Sequence, residues 1–120
     1  MDQSPLIPAA GRRERRQRQP WARLLQAILD LAGPDAELIR HIERDWVSAT
    51  FTGSRHAITL RFTGGAAAAC GEQFIIALPD HGFELPRWLV ADATITAVED
   101  NRLPVRTLVV EAQLLVLEDG

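Results

Sequence analysis

Three histidines, one cysteine and a run of arginines carry most of the reactive chemistry open to this chain. His41 stands four residues after Glu37 and four before Asp45, a spacing that on a helix puts all three within reach of one metal ion. Two carboxylates and one imidazole on a single helix bind weakly. The same residues also make an ordinary solvated face opposite Leu38, Ile39 and Ile42, so no metal ligand is assigned. Asp80 and His81 bring an acid beside a base, but neighbours in a Pro-Asp-His-Gly turn seldom aim both side chains at one substrate. No nucleophile accompanies them: Ser4, Ser48 and Ser54 fall in tail, strand and turn, and Cys70 is expected on the packed side of a helix. His56 opens a strand beside a turn and receives no role. Gly64-Gly65 precedes a helix but lacks the Lys-Ser or Lys-Thr pair of a phosphate-binding loop, and reads as a strand-to-helix turn. Trp21, Trp46 and Trp88 stand at element ends, where large aromatics act as packing anchors. No catalytic or cofactor-binding residue and no cofactor is assigned, and the expectation leans away from an enzyme.

Arg12, Arg13, Arg15, Arg16 and Arg18 form the one segment with a recognisable interaction chemistry, since guanidinium groups bind phosphates bidentately. Residues 1–23 hold six Arg against Asp2 and Glu14, a net +4, whereas residues 24–120 hold seven Arg against fourteen acids, a net −7. An extended nucleic-acid surface needs basic groups on the folded part as well, so a nucleic-acid-associated protein using the arginine run is only the second reading. The chain has no Tyr to offer as a base-stacking platform, and Phe51 and Phe62 are expected in the core.

The elements that position these residues follow from hydrophobic period. Residues 1–19, with Pro5, Pro8, Gly11 and the arginines, are expected to be a flexible tail, leaving residues 20–120 as a single domain. Pro20 opens a helix whose Trp21, Leu24, Leu25, Ile28 and Leu31 recur at helical spacing until Gly33-Pro34. A second helix is expected from Pro34, with Asp35 and Glu37 in its first turn and Leu38, Ile39, Ile42 and Trp46 on one face. From Val47 the period drops to two, predicting a hairpin that turns at Gly53-Ser54-Arg55 and sets Phe51 opposite Ile58. A third helix carries Ala67, Gly71, Phe74, Ile75 and Leu78 as its stripe and ends at Pro79; Gly71 in its interior suggests a close approach to the sheet.

Residues 89–119 then read as a long hairpin with Ile95 opposite Val110. The predicted fold is α+β: two helices, hairpin, helix and hairpin, with a four-stranded, mainly antiparallel sheet. An eleven-residue strand spans roughly 35 Å, against about 18 Å for a twelve-residue helix, so the helices cannot cover the last hairpin along its whole length. Its outer face carries Val109, Leu115 and Leu117, which makes these the candidate protein interface of a homodimer.

The apolar fraction of 47% with 24% charged residues is that of an ordinary globular protein, and no apolar run reaches the roughly 20 residues a bilayer demands. Arginines follow the short apolar stretch near the N-terminus, where a secretory signal needs an apolar core, and the single cysteine suits a reducing compartment; a cytoplasmic protein without membrane contact is expected. The leading functional expectation is a small non-enzymatic protein working through protein contacts as a homodimer. A third reading is a small-molecule binder or enzyme, whose pocket would lie between the alanine-rich sheet face and the third helix.

Overall fold

The computed structural model describes residues 21–118. Residues 21–32 form helix α1, and four strands and one further helix follow: β1 (Glu37–Val47), β2 (Thr52–Thr63), α2 (Gly65–Ala77), β3 (Trp88–Asn101) and β4 (Thr107–Glu118). A short 3-10 turn, Leu78–Asp80, closes α2 at Pro79. The strands make one four-stranded sheet in the order β1-β2-β4-β3, and every pairing is antiparallel. The α+β class and the antiparallel sheet are therefore as expected.

The expected second helix does not exist. Residues 37–47 are an edge strand paired along their length with β2, so the order is α-β-β-α-β-β rather than α-α-β-β-α-β-β. Leu38, Ile39, Ile42 and Trp46 match a helical period, but two-fold alternation fits the segment equally well. His41, Glu43 and Asp45 face one way and Ile42, Arg44 and Trp46 the other. Tertiary context decides, because β2 has an open edge that only another strand satisfies.

This reassignment moves the first turn. The expected turn at Gly53-Ser54-Arg55 lies inside β2, and the chain reverses at residues 48–51 instead. There Ser48 Oγ accepts hydrogen bonds from the backbone N–H groups of Thr50 and Phe51, at 3.3 and 3.0 Å, and Ser48 N–H donates to the Phe51 carbonyl. Gly53 is a strand glycine: a Cβ there would clash with the Val116 carbonyl oxygen. Phe51 consequently faces Ser48 across the turn rather than Ile58, and is exposed.

Both helices cover one face of the sheet. Ile58, Leu60 and Phe62 of β2 and Leu108, Val110, Ala112, Leu114 and Val116 of β4 form a core with Leu24, Ile28 and Ala32 of α1 and Ala67, Ala68, Phe74 and Leu78 around α2. Gly71 is where α2 meets the sheet most closely, as its position in the helix suggested: a Cβ there would come within 2.7 Å of Leu108 and 2.8 Å of Phe62. Cys70, expected to be packed, is exposed beside it.

The last hairpin is present, but its register differs from the simple pairing. Ile95 lies opposite Ala112, and Val98 opposite Val110, because β3 carries irregularities between Val90 and Asp92 and between Ile95 and Ala97. These bulges flip alternation along β3, so Val90, Ala93, Ile95 and Val98 share the helix-facing side. Both edge strands are bulged, β1 between Leu38 and Arg40, a device that keeps open edges from pairing with stray strands.

Candidate functional site

Reading residues 37–47 as a strand places polar side chains on the helix-facing side of β1, directly above those of β2. Glu43 is the cross-strand partner of His56, His41 of Ile58, and Asp45 of Ser54. Nε2 of His41 lies 2.8 Å from Nδ1 of His56, so one ring donates and the other accepts. The second nitrogen of His56, Nε2, lies 2.8 Å from Ser54 Oγ. A chain of three side chains thus runs from buried Ser54 through fully buried His56 to half-buried His41.

Trp21, at the start of the described part of α1, closes the cluster from above. Its ring stacks on His41 with centroids 3.5 Å apart and planes 2° apart, and lies 5.3 Å from His56. The burial that results has electrostatic consequences. His56 is pushed down to about 4, by removal from water first and by neighbouring His41 second. His41 is lowered by burial, and Glu43 is raised by burial and by the charge of Asp45. Both rings are therefore neutral near pH 7, each with a nitrogen lone pair that can accept a hydrogen bond or bind a metal ion. Among the described residues, Glu43 Oε2 is buried without a hydrogen-bond partner. The ligand atoms of His41, Glu43 and His56 lie within 4.8 Å of one another.

The helical grouping of His41 with Glu37 and Asp45 is corrected by this geometry: Glu37 projects from the opposite face and makes a salt bridge to Arg61 at 3.0 Å. His56 and Glu43 carried no signal as isolated residues. The signal that finds them is the alternation His41-x-Glu43 on one strand and Ser54-x-His56 on the next, legible only once both segments are read as strands. His81 is exposed and meets Phe83 edge-on, apart from this cluster.

Of the proposed interface residues, Val109 and Leu115 are half-buried on the outer sheet face, and Leu117 is 7% exposed. Among the more exposed large apolar groups, Val47 and Phe51 lie at the β1–β2 turn and Leu103 and Val105 at the β3–β4 tip, with Ile76 on α2 and Leu89 and Val98 on β3. Between the alanine-rich sheet face and α2, where a ligand pocket was one expectation, Ala112 and Phe74 are enclosed in the core and Ala93 packs against it. A depression of about 160 Å³ lies instead on the outer face, lined by residues including Arg40, Ile42, Ala57, Thr96, Glu111 and Gln113. Arg12, Arg13, Arg15, Arg16 and Arg18 fall outside the described residues. Among the described residues, no helix is long and apolar enough to cross a membrane.

No family model matches this sequence, and no curated protein matches it. A solved structure does share the fold: a chain of the "Virion of native gene transfer agent (GTA) particle", with a TM-score of 0.56 and 18% identity. The match covers 84% of this chain and 93% of that one.

Proposed function

We propose that this protein is a structural subunit of a virion-like particle and works through contacts with other protein chains rather than through catalysis. The observation that carries the reading is the shared fold, since the match takes in 93% of a chain belonging to a gene transfer agent virion. Fold alone does not fix function, so the surfaces must also suit assembly.

Two features of the surface support it. Exposed Val47, Phe51, Leu103 and Val105 stand at opposite ends of a molecule 58 Å long, positions from which a subunit reaches neighbours on either side. The sheet face that no described element covers is also divided by charge. Arg40, Arg44 and Arg55 project from β1 and β2, beside Arg61 paired with Glu37, and Asp92, Glu99 and Glu111 from β3 and β4. A two-fold rotation about an axis along the strands sets the arginine half of one copy over the acidic half of another, with Val109 and Leu115 between. Four strands about 4.8 Å apart and about ten residues long give roughly 600 Å² per copy, at the lower end for a specific interface. The homodimer is thus the self-association this face fits best.

Density-gradient fractionation of the native source, with peptides of this chain followed by mass spectrometry, tests the particle. The chain is expected in fast-sedimenting particle fractions; its confinement to the top of the gradient rejects the reading. Light scattering on the purified chain tests the dimer separately, and a monomer mass at micromolar concentration removes that part alone.

A further inference from the structure

We infer that His41, Glu43 and His56 bind a divalent transition-metal ion of the zinc class, which ties β1 to β2 beneath Trp21 of α1. The inference does not depend on the particle reading above.

The donor set is the first argument. Two imidazoles and one carboxylate are the ligands that suit zinc and its neighbours, and three protein ligands leave one coordination position for water. The convergence is the second. Ligand atoms held at about 2.0–2.1 Å from a tetrahedral ion lie roughly 3.3 Å apart. The two imidazole nitrogens stand at 2.8 Å, and all three donor atoms fall within 4.8 Å, so small side-chain shifts admit an ion.

Buried polarity is the third argument. A carboxylate oxygen held away from water with no partner is costly, and a cation among these three groups removes that cost. Ser54 supplies what an imidazole ligand ordinarily has, a hydrogen bond on its other nitrogen: with His56 Nε2–H donating to Ser54 Oγ, the Nδ1 lone pair is turned toward His41 and Glu43. In the metal-free chain His41 Nε2–H then donates to that lone pair. Binding exchanges this one hydrogen bond for two nitrogen–metal bonds, His41 carrying its proton on Nδ1 instead. Trp21 stacks over His41 and so brings α1 into the cluster.

The test is calorimetric titration of Zn²⁺ into the full chain after chelation and removal of the chelator, together with thermal melts at each stage. Wild type is expected to bind one ion per chain and to melt higher with it. His41→Gln and Glu43→Gln, both at sites only half-buried, are expected to fold and to bind at least about tenfold more weakly, with the zinc-dependent rise in melting temperature lost. His81→Gln is expected to bind as wild type does. Absence of one-to-one binding overturns the inference, and so does binding that survives both His41→Gln and Glu43→Gln. Should His41→Gln fail to fold, Glu43→Gln alone decides, since it removes a ligand and leaves a side chain of the same size.

Discussion

His56 shows how much one side chain's position settles. As an isolated residue in a sequence it titrates near 6.5, but enclosed against Ser54, His41 and Trp21 it is held to about 4. The titratable groups facing it are His41 and Glu43, with Asp45 beyond Glu43 on β1. Between these two values the unfolded chain binds a proton that the folded chain refuses, so stability is lost as pH falls from about 6.5 toward 4. The loss amounts to about 3 kcal/mol at about 1.36 kcal/mol per unit. Melting temperatures recorded from pH 7.5 to pH 4 with divalent ions chelated are expected to fall along this limb, and His56→Asn is expected to flatten it. A wild-type limb no steeper than the variant's contradicts the assignment of a neutral, buried His56. None of this was legible from the residue itself, because burial is a property of what packs above it.

Elements were legible where side-chain pattern and tertiary demand agree. The α2 stripe is the clear case: Ala67, Gly71, Phe74 and Leu78 are buried, and the glycine stands where the helix touches Leu108 and Phe62. Gly71→Ala gains about 1 kcal/mol of helix propensity but forces a methyl into a filled contact, at a cost of about 1–3 kcal/mol. The expected outcome is net destabilisation, read as a melting temperature lower by several degrees; an unchanged or raised value shows that α2 backs away from the sheet freely. Residues 34–47 look helical in sequence because Pro34, Asp35 and Glu37 mimic a helix start and a short apolar set fits two periods at once. Strand pairing of residues 37–47 with β2 in turn places the reversal at residues 48–51 rather than at Gly53 and changes which residues lie opposite one another. In β3 the strand is where its alternation predicts, but register and facing both differ: the bulges turn Val90 and Val98 to the helix side and Leu89 and Ala97 away from it, and bulges leave no mark in composition.

At the scale of the molecule, both helices of the described residues lie on one side of the sheet, and no described element covers the other face, which is mainly positive on β1 and β2 and negative on β3 and β4. If that face is the dimer contact, Arg44→Glu with Arg55→Glu places like charges across the interface and is expected to shift the light-scattering mass to a monomer. Adding Asp92→Arg and Glu111→Arg restores opposite charges and is expected to restore the dimer, while all forms keep a folded circular-dichroism spectrum. Loss without rescue argues for a different contact. The same open face explains why Val109 and Leu115 drew notice in the sequence: they sit on it half-buried, whereas Leu117 is largely covered.

By itself the sequence determined the α+β class, both helices of the described residues, the final hairpin and the buried row Leu108, Val110, Ala112, Leu114 and Val116, because each follows from a periodicity that only one kind of element can bury. Tertiary structure alone decided that residues 37–47 are a strand, since an unpaired edge of β2 outweighs local helix propensity. With that decision it assembled Trp21, His41, Glu43, Ser54 and His56, residues spread over three elements whose meeting depends on which strand lies beside which and on which helix packs above them.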